Sequence, residues 1–253
     1  MRSIAKLMKD WQFTGPNGVT TAVELPHTWN ARDGQDGGND YWRGCCTYCT
    51  RFAAPVYDPA QQQVWLQFEG VNASAAVLLN GQQLCTHDGG YSTFRAEVTE
   101  LLQAENQLTV RVDNSVNDRV YPQKADFTFY GGIYRDVSLL VVNKNHIALG
   151  HFGDTGVKIT PTLKEGSADI RVETLVEGSG TVTVELLDAE GRTAAKGEGE
   201  NAFLHLDAPH LWNGVKDPYL YTCVVRLLQD GQPVDEEKRD MGTITNIDGE
   251  YSL

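Results

Sequence analysis

The hydrophobic positions of this chain alternate in short runs, and turn residues rather than helical stretches separate those runs. Leu108, Val110 and Val112 alternate with Thr109, Arg111 and Asp113, the two-residue period of a strand with one buried and one wetted face. Ile170, Val172 and Val176 stand against Asp169, Arg171 and Glu173 in the same way, and Val182, Val184 and Leu186 against Thr181, Thr183 and Glu185. Tyr221, Cys223, Val225 and Leu227 predict a late strand of the same kind. Val137–Val142 is apolar on both faces, as expected of a strand between two packed layers. Ala75–Leu79 runs into Asn80-Gly81, the dipeptide that best tolerates the two positive φ angles of a tight hairpin, and Asp230-Gly231 repeats the signal. Trp11–Phe13 reads as the start of an edge segment, and Val98–Ala104 offers a helical turn or two. No amphipathic run reaches helical length, so the expected class is all-β.

Two stretches interrupt the alternation. After Asn114 a connection of about 16 residues runs to Tyr130, long enough that a compact domain usually puts it to use. Residues 143–156, NKNHIALGHFGDTG, are polar and glycine-bearing and read as a linker. The expected division is therefore one domain over residues 1–146 and a second over 147–253, each large enough to bury a core.

Charge narrows the partners. Thirty-four acidic residues against 21 basic ones give a net charge of −13, which repels phosphate backbones and anionic membrane surfaces. A neutral sugar is indifferent to that field. The N-terminal MRSIAKLMKDWQF lacks an apolar stretch of signal-peptide length, so the expected location is cytoplasmic. Cys45, Cys46 and Cys49 lie in one strand-like run, where neighbours point to opposite faces and cannot converge on a metal. No metal site, cofactor motif or disulfide is expected.

The longest ordered pattern is F-E-G-V, then L-N-G, then H-x-G-G-Y-x-x-F, then N-x-L-x-V-x-V-D-N, all between Val64 and Asn114. With LPHTWN, DGGNDYWRG and GGIYRDV it resembles the N-terminal sugar-binding domain of family 2 glycoside hydrolases, which include β-galactosidases, β-glucuronidases and β-mannosidases. LWNGVKDPYLYTCVV is similar to the segment closing that family's second, immunoglobulin-like domain. The resemblance implies a galactose-binding-like jelly roll followed by an immunoglobulin-like sandwich. It further implies that MGTITNIDGEYSL stands where relatives enter their catalytic (β/α)₈ barrel, and that this barrel lies outside the chain. Retaining hydrolysis needs two carboxyl groups about 5–5.5 Å apart across the scissile bond, and the resemblance places both on the barrel. No residue present is therefore expected to be catalytic. The chain is expected to be the non-catalytic part of a β-galactosidase-type enzyme. The alternatives are a free-standing carbohydrate-binding module and the same portion of a β-glucuronidase or β-mannosidase.

The site residues follow partly from chemistry and partly from the resemblance. Asp126 matches the loop aspartate that in β-galactosidases reaches hydroxyls of the terminal galactose, and an ionised carboxylate suits that task by accepting two charge-assisted hydrogen bonds. The loop His27–Arg43 adds Asn30, Asp33, Asp36, Asn39 and Asp40 beside Trp29 and Trp42, the mixture of polar groups and aromatic faces that binds sugars. The tryptophans themselves are expected in the core, and His27 and Arg43 in structural hydrogen bonds. Arg135-Asp136 reads as an internal ion pair or domain-interface anchor. The Asn72-Ala73-Ser74 sequon falls inside a strand-forming run and is discounted. The implied partners are a terminal galactoside or related sugar, the missing barrel, and a second copy in a homo-oligomer.

Overall fold

The computed structural model describes residues 1–32, 42–121, 128–150 and 153–242. They are strands and turns almost throughout; the only helix among them is the single 3₁₀ turn Thr99–Leu101. The chain divides into two compact units, Ser3–Val141 on one side and Met1–Arg2 with Val142–Leu253 on the other.

In the first unit a six-stranded antiparallel sheet has the order Thr20–Val23, Trp11–Thr14, Cys45–Ala53, Glu105–Asp113, Ser74–Leu79, Gln82–Asp88. A four-stranded sheet has the order Ser3–Lys6, Val137–Asn143, Gln62–Phe68, Phe94–Glu97. Their inner faces share one core, built on Trp11, Tyr48, Leu66, Phe68, Leu79 and Leu108, all fully buried. The alternation read along Leu108–Asp113 is realised: Leu108, Val110 and Val112 are buried, and Arg111 is exposed. Asn80 and Gly81 take φ angles of 51° and 83° and close the hairpin between Ser74–Leu79 and Gln82–Asp88. Trp11–Thr14 is not an edge strand, because Thr20–Val23 pairs along its outer side, and Trp11 is wholly buried because its side chain faces the core.

The second unit packs a three-stranded sheet (Val157–Lys164, Ser167–Thr174, Asn201–Asp207) against a four-stranded one (Thr193–Glu198, Thr181–Leu187, Tyr221–Gln229, Gln232–Met241). Ile170, Val172, Val182, Val184, Leu186, Cys223, Val225 and Leu227 fill its core. The supposed linker is structural: His146–Ile147 pairs with Val176–Glu177, and Ile147, Ala148 and Leu149 are buried. Ile147 joins the core of this unit, so an apolar residue inside a polar run is enough to anchor it.

Arg2 belongs to this second unit. Its Nε and Nη2 donate to the two oxygens of Asp235 at 2.7 and 2.6 Å, and Nη1 donates to Glu237 at 2.9 Å. The Asp235 carboxylate, wholly buried, also accepts from Ile147 N at 2.8 Å. Burial works against the charge on Arg2, yet its hydrogen bonds and the charges of Asp235 and Glu237 raise the guanidinium pKa above its ordinary value.

Candidate functional site

The loop end of the first unit brings together four stretches of chain that are far apart in sequence: Thr28–Asn30, Trp42–Gly44, Asn114, and Phe129–Gly131. Two buried asparagines join them. The Asn30 side chain, 4% exposed, donates through Nδ2 to Trp42 O at 2.8 Å. Its Oδ1 accepts from Gly131 N at 2.7 Å and from Asn114 Nδ2 at 3.1 Å. Asn114 is fully buried; its Nδ2 also donates to Phe129 O at 2.9 Å, and its Oδ1 accepts from Gly44 N at 2.9 Å. Arg43 Nε donates to Asn114 O at 2.7 Å and holds its guanidinium 5.0 Å from the centre of the Phe129 ring. Buried amides tolerate this setting because every arm has a partner.

Around the network the packing is tight. Trp29 stacks on Phe13 with ring centres 5.9 Å apart, and a Cβ at Gly131 would stand 2.0 Å from the Trp29 ring, so only glycine fits there. His27 Nδ1 shares a 2.7 Å hydrogen bond with Tyr48 Oη, and burial lowers the imidazole pKa. Asn72, joined to Ala73 by a cis peptide bond, is 4% exposed and donates to Tyr130 O at 2.6 Å. Burial, then its neighbours Tyr91 and Tyr134, push the Tyr130 hydroxyl up to about 12. Tyr134 Oη donates to Gly90 O. Asp88 accepts from Ser74 Oγ at 2.5 Å and from Arg119 Nε at 2.9 Å; the serine bond and then the arginine hold its carboxyl below the usual carboxylate range, against the opposing effect of burial.

A cleft opens between these stretches, lined by Arg43, Asn72, Tyr91, Asn117, Tyr121 and Phe129 among others. It admits about 20 Å³ of water-sized centres, little more than one water. Such a cleft is too small to enclose a sugar ring. Its composition, one cation with amides, phenols and an aromatic face, suits a polyhydroxylated ligand. Among the described residues no group of three or more His, Cys, Asp or Glu side chains converges to hold a metal ion.

The expected site residues divide accordingly. Asp33, Asp36, Asn39, Asp40 and Asp126 lie outside the described residues. Tyr121 and Phe129, on either side of Asp126 in sequence, both line the cleft. Asn30 is inside the protein, with its carboxamide turned to Trp42, Gly131 and Asn114, so the geometry gives it a framework role in place of the expected sugar contact. Trp29 is half-buried as expected, whereas Trp42 is 37% exposed and stands at the surface. His27 and Arg43 do form structural hydrogen bonds. Arg135 and Asp136 do not pair with each other: Arg135 lies over the Tyr134 ring and Asp136 bonds Lys6. Adjacent side chains near a strand start point apart, which decides this. The sequon asparagine, Asn72, is buried in the site framework. Sequence reasoning missed Asn114, whose only signal is an amide directly after a strand ending in Val-Asp.

Comparison with known proteins agrees with this architecture. The profile of the glycosyl hydrolase 2 galactose-binding domain-like family matches residues 38–162, and that of the glycosyl hydrolases family 2 matches residues 151–243. A β-glucuronidase of Bacteroides fragilis is 31% identical over 259 residues, covering 93% of this chain and 37% of the relative. A β-galactosidase of Thermoanaerobacter pseudethanolicus is 28% identical over 191 residues, covering 69% of this chain and 25% of the relative. The crystal structure of an FMN-binding β-glucuronidase from Facaelibacterium prausnitzii L2-6 superposes with a TM-score of 0.90 at 35% identity, over 96% of this chain and 39% of that one. The chain thus spans about a third of the length of the curated relatives it matches. From its galactose-binding-like first unit to its immunoglobulin-like second, it belongs to glycosyl hydrolase family 2.

Proposed function

We propose that this chain is the non-catalytic N-terminal part of a retaining β-glycosidase and contributes one wall of the sugar pocket. The observation that carries the reading is the shallow cleft of Arg43, Asn72, Tyr91 and Phe129, set on a rigid amide framework in a family 2 galactose-binding-like unit. A wall of that kind orients a glycone but brings no acid/base and nucleophile pair, so bond cleavage falls to a catalytic barrel elsewhere in the protein. In this reading Asp126 accepts hydrogen bonds from sugar hydroxyls, and Asp33, Asp36, Asn39 and Asp40 furnish further polar contacts.

β-Glucuronides are the first substrates to test, because the two relatives above 30% identity described here carry that name. A β-galactoside is the second reading, supported by the Thermoanaerobacter relative and by the DGQDGGNDYWRG loop. The test is hydrolysis of nitrophenyl β-glucuronide and nitrophenyl β-galactoside by the product of the full-length gene. Activity on one and a raised KM in Asp126→Ala are expected, with no turnover by residues 1–253 alone. Hydrolysis of neither substrate, together with micromolar galactose or glucuronate binding by residues 1–253, would make the chain a self-sufficient carbohydrate-binding module instead.

A further inference from the structure

The strand Glu105–Asp113 has a hydrogen-bonded asparagine pair at each end, and the two pairs do different work. At the hairpin end Asn106, 2% exposed, accepts from Gln103 N at 2.9 Å and Asn80 Nδ2 at 3.0 Å, and donates to Gln103 O at 2.7 Å. Asn80 in turn donates to Leu101 O and accepts from Gln107 N. Those bonds close turns between residues at most 27 apart in sequence, and the side chains they serve lie far from the cleft. At the other end, about 26 Å away at the usual rise of a strand, Asn114 and Asn30 join residues 84 and 101 apart.

What hangs on the second pair is the cleft itself. The Asn114 main-chain carbonyl anchors the Arg43 side chain, and its Nδ2 fixes the main chain of Phe129. Asn30 fixes Trp42, next to Arg43, and Gly131, two residues after Phe129. Neither asparagine lines the cleft. A side chain that touches the wall from behind, with every polar arm on the main chain or on its partner, sets where the wall stands without meeting the ligand.

We propose that Asn30 and Asn114 are positioning residues for saccharide binding: the amide pair sets the Arg43 and Phe129 wall, and its loss weakens substrate binding rather than the chemical step. The proposal rests on the glycosidase reading above. Asn114→Asp keeps the size and the acceptor but replaces the donating Nδ2 by an oxygen facing Phe129 O and Asn30 Oδ1. Asn106→Asp makes the same change at the far end of the same strand and serves as the matched control.

Both variants of the full-length protein are compared by thermal melting and by KM and kcat on the nitrophenyl glycoside that the wild type cleaves. Similar melting losses are expected. KM should rise about five- to tenfold in Asn114→Asp alone, the effect of one lost hydrogen bond transmitted to the wall, with kcat changed less than KM. As pH falls and the new carboxyl protonates, it regains a donor and KM should return toward the wild-type value, which loss of fold would not produce. Equal KM values in the two variants overturn the proposal. If Asn114→Asp does not fold, Asn30→Asp, which loses the donor to Trp42 O, replaces it in the same comparison. If the wild type cleaves no glycoside, the function fails separately. Hydrogen exchange at the Gly44 and Gly131 amides then reads the framework, and unchanged protection in Asn114→Ala and Asn30→Ala, which remove the acceptors of those two amides, overturns the positioning role.

Discussion

In the first unit the buried polar side chains are mainly neutral amides, Asn30, Asn72, Asn106 and Asn114; in the second they include a carboxylate, Asp235, locked to Arg2. An amide offers donors and an acceptor on one small group and costs less to desolvate than an ion. It can therefore join three or four loop segments at once, as at the cleft. A buried carboxylate needs a cation and an N–H arranged around it, and here it receives two donors from Arg2 and one from Ile147. That arrangement holds a few residues very firmly and leaves no group to present. Amides build the candidate site, and the ion pair builds scaffold.

Removing half of the ion pair should show the larger effect. Arg2→Ala leaves Asp235 buried and unpaired, and a loss of about 3–5 kcal/mol is expected. Calorimetry should show an early transition of the second unit. Tryptophan fluorescence should follow a later one, since Trp11, Trp29, Trp42 and Trp65 belong to the first unit and only Trp212 to the second. Loss of both transitions together would show that the units do not melt independently. Asn114→Ala comes next, at about 1–3 kcal/mol for the orphaned partners, and its effect should appear in the fluorescence transition.

Acidification sharpens the contrast further. Burial lowers the pKa of His27 and His87 in the first unit, so each contributes fully above the ordinary histidine value of about 6.5 and loses its contribution as pH falls through it. In the second unit His146 is lowered by burial, but His205 is raised, first by its hydrogen bond to Asp169. The His205 contribution is present below the ordinary value and lost as pH rises, the opposite sign. Between pH 7.5 and 5 the first unit should lose melting temperature and the second should change less; equal shifts would contradict the assignment. The smallest effect is expected from Arg119→Ala. That side chain is 57% exposed and its Asp88 partner 39%, so solvent screens the pair and only a slight loss is expected, read in the fluorescence melt and reduced further by salt.

The strand faces were legible in the sequence because alternation is a local rule, and Leu108 to Val112, Ile170 to Val172 and Val182 to Leu186 all obey it. The Asn80-Gly81 hairpin was legible for the same reason. Choices of partner were not. Asp136 takes Lys6 rather than its neighbour Arg135, through a sheet pairing more than a hundred residues long in sequence. The run around Ile147 read as a linker, and only the core of the second unit gave that side chain something to pack against. Asn30 carried the chemistry of a sugar ligand in its side chain, and only the closure of four distant segments around it turned that amide inward.

The bond between Arg2 and Asp235 spans 233 positions. On the ribosome Arg2 emerges long before Asp235 is synthesised, and it waits through all of the intervening chain before its partner exists. During that interval the second unit can collapse around its apolar strands but cannot seal Asp235 away from water. Its completion is therefore deferred until a residue made early returns to one made much later in the same chain.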